Sequence, residues 1–217
     1  MRILVLGASG GCGRWVTQLA AGHGHDVTAL VRSTTPFEPP HGVSVRRGDA
    51  LDSDDLARAA EAHDAIISCI GPQRANPRNP WSPLRPPLHC AELSARAIVM
   101  AHERSGVGRV AVISAAGVGD SFDALNPMMQ WLIRRSTIGA GYADLDGMEK
   151  VLRYSRLDWV AVRPVTLVNA GPTSRTKELT RFRSVSIVGR ADVAGWLLRA
   201  TVDSNAISVR TPMIGWW

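Results

Sequence analysis

Three glycines stand three residues apart near the start of the chain: Gly7, Gly10 and Gly13, in LVLGASGGCGRW, Leu4 to Trp15. The apolar run Ile3-Leu4-Val5-Leu6 precedes them and a helix-like stretch, Arg14–Ala21, follows. A strand, a glycine-rich turn and a helix in that order make a cradle for a pyrophosphate. Gly7 permits the tight turn, Gly10 lets the backbone approach the phosphates, and Gly13 lets helix and strand pack closely. The helix N-terminus adds free N–H groups and the positive end of its dipole. The spacing is GxxGxxG rather than GxGxxG, and the context reads as a dinucleotide site. Cys12 lies inside this loop, where a helix N-terminus can lower a thiol pKa, but it reads as filling a variable position.

Residues further along refine the ligand. NAD-binding folds usually carry a carboxylate at the end of the second strand, on the ribose hydroxyls. Here DVTALVRS ends in Arg32-Ser33. A planar guanidinium can pair with a 2′-phosphate, which points to NADP(H). In RRGDALD, Asp49, followed by Ala50, can accept from the adenine amine or else cap a helix. Arg14 can stack on the adenine, help with a phosphate, or face solvent.

The elements that must position these groups alternate. Strands are expected at Arg2–Leu6, Asp26–Val31, Ser44–Arg47, Ala65–Ser68, Arg109–Ser114 and Trp159–Arg163, with a short one at Ala206–Arg210. Helices are expected at Arg14–Ala21, Ser53–Ala62, Cys90–Ser105, Pro127–Arg135, Asp144–Tyr154 and Arg190–Thr201. Apolar strands alternating with helices imply a parallel sheet covered on both faces, with ligands at the carboxyl ends of the strands. Asp52 or Ser53 can cap the second helix, and Gly106 ends the long third helix. Two stretches break the rhythm on the cleft side, near 71–88 and 117–142. The first, GPQRANPRNPWSPLRPP, is too rich in proline for helix or central strand. It is expected to lie over the cleft as a lid, or else to be a disordered insertion.

Bulk properties narrow the class. The 217 residues suffice for one sizeable core, and one domain over 1–217 is the expectation. The net charge of +6 comes from scattered arginine, with Lys150 and Lys177 the only lysines. Scattered charge of this kind is a solvated surface and argues against nucleic acid. No apolar run approaches the roughly 18 residues of a membrane span, and the N-terminus enters a strand at once, so a cytoplasmic protein is expected. Cys12, Cys69 and Cys90 show neither disulfide nor zinc spacing, and the six histidines show no metal-ligand spacing, so no metal is expected. Trp15, Trp159 and Trp196 are expected in the core. Trp81 and Trp131 could line an apolar acceptor pocket, and Trp216-Trp217 could cover an edge or a partner surface.

Beyond these points, GASGGCG, ALVRS, GDALD, VAVISAAG, KVLRYSRLDWVAVRP and VGRADVAGWLLRA occur in that order. Together they resemble the atypical short-chain dehydrogenase/reductase group of NAD(P)H-binding proteins, of the flavin reductase/biliverdin-IXβ reductase type, with NmrA-like regulators as cousins. The resemblance implies a Rossmann-type doubly wound parallel sheet with a small C-terminal substrate lobe, and NADP(H) as cofactor. It implies cofactor contacts at Gly7, Ser9, Gly10, Gly11, Cys12, Gly13, Arg32, Ser33, Asp49 and Ala50. It places Cys69, Ile70, Gly71, Ser114, Pro164, Val165 and Thr166 near the nicotinamide, and it implies Ser114 and Tyr142 as the catalytic pair, with Tyr142 also in the substrate pocket.

Departures from the family pattern shape the expected chemistry. Alcohol-oxidising members use Tyr-xxx-Lys, but Asp146 stands four residues after Tyr142, and a carboxylate there raises a phenol pKa. Lys150 is two helical turns from Tyr142. The histidine that follows the proline of the sixth strand in the flavin reductase type is replaced by Val165-Thr166-Leu167. Hydride transfer to a conjugated acceptor needs mainly alignment, so an NADPH-dependent oxidoreductase acting on a flavin, a quinone or a natural-product intermediate is the expectation, as a monomer or homodimer. The alternatives are a non-catalytic NADP(H) sensor of the NmrA-like type and a redox-neutral isomerase on the same fold.

Overall fold

A computed structural model describes residues 1–183, 185–205 and 209–216. The apolar runs form strands β1 (Arg2–Leu6), β2 (Asp26–Val31), β3 (Val43–Arg47), β4 (Ala65–Ser68), β5 (Arg109–Ile113) and β6 (Asp158–Pro164). Helices α1 (Gly11–Gly22), α2 (Ser53–Ala60), α3 (Cys90–Ser105), α4 (Pro127–Arg135), α5 (Ile138–Arg153) and α6 (Arg190–Val202) alternate with them or follow. Strands β1 to β6 pair in parallel in the order β3-β2-β1-β4-β5-β6. This is the doubly wound, Rossmann-type order. The sheet is continued by β10 (Met213–Trp216), parallel to β6, and by β8 (Thr176–Glu178), antiparallel to β10.

Strand alternation builds the two cores. Ile3 and Val5 point to one face, where Val16 and Ala20 of α1 and Leu197 of α6 cover them. Leu4 and Leu6 point to the other, against Leu56 of α2, Ile98 of α3 and Leu145 of α5. Side chains of period two on a sheet with helices on both faces leave the strand ends uncovered.

Caps delimit the helices. Asp52, not Ser53, caps α2, its carboxylate accepting from the N–H groups of Asp54 and Asp55 at 2.9 and 2.8 Å. Gly106 ends α3 in the left-handed region at φ 72°. The N-terminus of α3 is capped from another helix: Asp144 of α5 accepts from the N–H groups of Ala91 and Glu92 at 3.1 and 2.9 Å.

Several elements differ from the sequence expectation, and packing explains most of the differences. Helix α5 starts at Ile138, six residues before Asp144, and runs through Gly139 and Gly141. A Cβ on Gly139 would lie 2.6 Å from the Ile133 carbonyl oxygen, and one on Gly141 3.2 Å from Pro72 Cγ. These glycines permit close approach and do not break the helix. Strands β7 (Thr166–Val168) and β9 (Ile187–Gly189) form a separate parallel pair that periodicity did not reveal, being only three residues each. Of the strand expected at Ala206–Arg210, residues 206–208 lie outside the described residues, as does Trp217, and Val209 and Arg210 are not strand. Trp159 is buried, but Trp15 and Trp196 are only partly so. Both pack against the core that α1 and α6 share.

In the C-terminal part, Asp192 of α6 gathers four donors: the Thr173 N–H and hydroxyl (both 2.6 Å), the Thr176 hydroxyl (2.9 Å) and the Trp216 indole N–H (2.5 Å). Burial pushes its carboxyl up, but these donors outweigh burial and hold it below the ordinary carboxylate value. A depressed folded-state pKa contributes stability above the unfolded value of about 3.9, which is lost as the pH falls through the folded value. Asp192→Asn is therefore expected to be less stable than wild type at pH 7, with the gap closing below about pH 4, as read by urea denaturation at several pH values. At Gly13 a Cβ would collide with the Gly7 carbonyl oxygen and lie 2.8 Å from Ala8 Cα. Gly13→Ala is expected to cost about 1–3 kcal/mol, seen as a lower urea midpoint at unchanged slope.

Candidate functional site

The glycine loop closes as the sequence spacing requires. Gly7 sits at φ 70°, and the Gly10 N–H donates to the Gly7 carbonyl at 3.0 Å. Gly10 is the N-cap of α1 and supplies no side chain to its first-turn N–H groups. A Cβ on Gly7 would lie 3.0 Å from the carbonyl carbon and oxygen of Cys69, so loop and β4 end meet backbone to backbone. The cradle has room for an anion at the helix N-terminus, which is the fit a dinucleotide pyrophosphate demands.

From this loop a cleft of about 580 Å3 runs along the carboxyl ends of β1, β2, β3 and β4. Ten residues singled out in the sequence line it: Gly7, Ser9, Gly10, Gly11, Arg32, Asp49, Ala50, Cys69, Ile70 and Gly71. Gln73, Arg85, Pro86 and Pro87 of the proline-rich stretch also line it, with Cys90 at the start of α3. That stretch is an ordered hairpin rather than a disordered insertion. Arg74 bridges Leu84, the Ala75 N–H donates to Pro83 at 2.9 Å, and the Arg85 N–H donates to Gln73 at 2.7 Å. Its base leans on α5 at Gly141 through Pro72 and Leu84. The volume falls within the range of about 300–1,000 Å3 usual for ligand sites. A second cavity, about 610 Å3, lies between Leu19 of α1 and Trp196 of α6. It is lined by sides of α1 and α6 and by residues 172–176 and lacks the glycine loop, so the first cleft is the candidate site.

The remaining candidates lie elsewhere. Cys12 and Gly13 sit behind the loop. Burial pushes the Cys12 thiol up to about 11, with the charge of Arg190 pulling the other way. Cys69 is also raised, by burial first and then by Cys12, so neither thiol is activated. Ser33 is exposed in the turn after β2. Asp49 accepts from the Leu51 N–H at 3.0 Å, a local turn bond, while lining the cleft. Arg14 donates to the Ser9 carbonyl at 3.1 Å and lies over the Phe37 ring, away from the cleft lining. Pro164 and Val165 are buried against β10, where the Val165 N–H donates to Ile214 at 3.0 Å, and Thr166 opens β7. Trp81 and Trp131 are more than half exposed outside the cleft lining, and the Trp81 indole donates to Arg135 at 3.1 Å.

The two candidate catalytic hydroxyls face inward. Ser114 is buried and donates to Glu149 Oε1 at 2.6 Å. Glu149 in turn takes Arg163 Nε at 3.0 Å and Nη2 at 2.5 Å, both side chains being almost wholly buried. Arg163 Nη1 reaches Asp120 at 2.6 Å. The Tyr142 hydroxyl donates to the Ala116 carbonyl at 2.9 Å. Burial raises its phenol to about 12, Arg74 opposing the shift. Lys150 is exposed and paired with Asp146 at 2.6 Å. The buried Arg163–Glu149 pair was not read from the sequence. Its signal is an arginine inside the apolar run WVAVRP, since arginine is almost never fully buried without a partner.

The sequence model of an NAD(P)H-binding family matches residues 7–204. The chain belongs to that family. Locally, this NAD(P)H-binding protein is similar to the isoflavone reductase homolog IRL of Zea mays, 36% identical over 80 residues, and to eugenol synthase 2 of Clarkia breweri, 34% identical over 80 residues. Each match covers 32% of this chain and 26% of the relative, so the chain spans about a quarter of the length of the curated relatives it matches. Among solved structures it resembles ChuY, an anaerobillin reductase from Escherichia coli O157:H7 (TM-score 0.73, 23% identity, 99% of this chain and 96% of that one). It also resembles a short-chain dehydrogenase/reductase from Veillonella parvula DSM 2008 in complex with NADP (TM-score 0.77, 17% identity, 99% and 94%). At these identities the likeness is one of fold.

Removing one member of a buried ion pair leaves an uncompensated charge. Glu149→Ala is expected to cost about 3–5 kcal/mol, and Ser114→Ala, which removes one hydrogen bond to a carboxylate, about 1.5–3 kcal/mol, both read by urea denaturation.

Proposed function

We propose that this chain is an NADPH-dependent reductase that transfers hydride to a conjugated small-molecule acceptor, a flavin, a quinone or a natural-product intermediate. The observation that carries the reading is the cleft: a phosphate loop at one wall, Arg32 and no carboxylate at the end of β2, and an ordered proline-rich flap along the opposite wall. Gly10 and Gly11 receive the pyrophosphate, Arg32 the 2′-phosphate and Asp49 the adenine amine. Cys69, Ile70 and Gly71 with Val165 and Thr166 border the nicotinamide. Bound NADPH supplies the hydride. The protein contributes alignment and water exclusion under the flap. The Tyr142 hydroxyl is committed to the Ala116 carbonyl and that of Ser114 to Glu149, so the proton on the reduced acceptor comes from water. The reductase names of the Zea mays and Escherichia coli proteins lend support to the reaction class.

A second reading rests on those same inward-facing hydroxyls: a nucleotide sensor that binds NADP(H) and signals to a protein partner. Titrating the purified protein with NADPH and NADH, followed by tryptophan fluorescence, tests the shared part. Arg32→Asp is expected to weaken NADPH binding at least tenfold more than NADH binding. Equal losses would remove Arg32 from the phosphate. NADPH oxidation across a panel of flavins and quinones then separates the readings. Turnover supports the reductase, with a rate showing no tyrosine ionisation below about pH 11, in line with the raised phenol. Tight binding without turnover on any acceptor supports the sensor.

A further inference from the structure

The small β7–β9 pair delivers a cation to the glycine loop. The two strands run parallel in register, Thr166 beside Ile187 and Val168 beside Gly189, so the chain leaves both at the same end. Asn169 follows β7, and Arg190 follows β9 as the first residue of α6. Arg190 Nη1 donates to Asn169 Oδ1 at 2.6 Å. A Cβ built on Gly11 would lie 2.8 Å from both Cδ and Nε of Arg190. The side chain thus rests on the first residue of α1, against a loop residue that lines the cleft. Gly11 has a negative φ and needs no glycine for its backbone; the missing side chain is what admits the arginine.

Arg190 is not itself in the cleft lining but rests on Gly11, which is, and its charge meets no carboxylate among the hydrogen bonds of the described residues. Among the described residues the hydrogen-bond partner of Arg190 is the neutral Asn169 amide, and the first turn of α1 carries no acidic residue. A guanidinium has five N–H donors, and its planar fork matches two phosphate oxygens. Arg32 and Asp49 stand on the β2–β3 side of the loop, whereas Arg190 arrives from the β6–β7 side. It therefore faces the half of a dinucleotide remote from the adenine.

We infer that Arg190 is a pyrophosphate clamp: its guanidinium, steadied by Asn169 and admitted by Gly11, binds the phosphate on the nicotinamide side of the cofactor. The inference rests on the reading of the glycine loop as an NADP(H) site. It gives the C-terminal part of the chain a direct hold on the cofactor, so that binding ties α6 to α1.

The test compares two ligands by tryptophan-fluorescence titration of the whole chain. NADPH carries both phosphates of the bridge, while 2′,5′-ADP carries only the adenine-side one with the 2′-phosphate. Arg190→Met is expected to weaken NADPH about tenfold or more, to leave 2′,5′-ADP within twofold, and to flatten the salt dependence of NADPH binding. Arg190→Lys, which keeps charge but loses the fork, is expected to fall between, and Asn169→Ala to show a smaller loss of the same selectivity. Unchanged NADPH binding in Arg190→Met, or an equal loss for both ligands in Arg190→Met and Arg190→Lys, would overturn the clamp while leaving the loop intact. Wild-type protein that binds neither ligand would overturn the loop reading and the clamp together.

Discussion

Helix α1 lies against the end of β1 with no room for a methyl group at Gly13. That approach sets the cleft. It brings the α1 N-terminus level with the end of β1, where no side chain caps the first-turn N–H groups, and presses Gly7 against the backbone of Cys69 at the end of β4. Packing this close is possible only where two chain segments meet without side chains. The wall it makes is therefore backbone, polar and rigid, which suits an anion better than any arrangement of flexible side chains.

The second half of the molecule is held by buried carboxylates. Asp144 caps α3 from α5, Glu149 ties α5 to β6 through Arg163 and to β5 through Ser114, and Asp192 ties α6 to the segment around Thr173 and to β10. Each carboxylate is costly to bury, and each is surrounded by enough donors to offset that cost. The bonds are directional, so they orient elements where apolar contact alone would allow sliding. They also use up the hydroxyl of Ser114, and the phenol of Tyr142 is similarly turned to the Ala116 carbonyl. Neither hydroxyl lines the cleft, whose walls are the glycine loop, Arg32 and Asp49 after β2 and β3, the segment after β4, and Arg85, Pro86 and Pro87 of the proline-rich stretch.

Local rules made much of the fold legible. The apolar runs of β1, β2 and β4 and the span of α3 coincide with the structure residue for residue, because their limits are marked by glycine, charge or a cap. The start of α5 was hidden, since Gly139 and Gly141 are weak helix formers whose place in the helix is set by neighbours that need the space. Strands β7 and β9 were hidden because three residues carry no period. At the site, the glycine loop and Arg32 were readable from order alone. Glu149 was not: a carboxylate on a helix looks solvent-facing until a strand arginine is brought beneath it.

The sequence by itself determined the alternation of strands and helices in a parallel sheet, the glycine-rich turn after β1 and the stretch where proline breaks the rhythm after β4. Each is a consequence of residues adjacent in the chain: glycine where a Cβ cannot fit, apolar runs alternating with helices, proline where neither helix nor inner strand can form. Only the tertiary structure decided which way the polar side chains face. Whether Ser114 meets the cleft or Glu149, and whether Arg190 meets solvent or Gly11, depends on partners 35 and 179 positions away along the chain. A hydrogen bond or a packing contact over that separation exists only once the fold has closed.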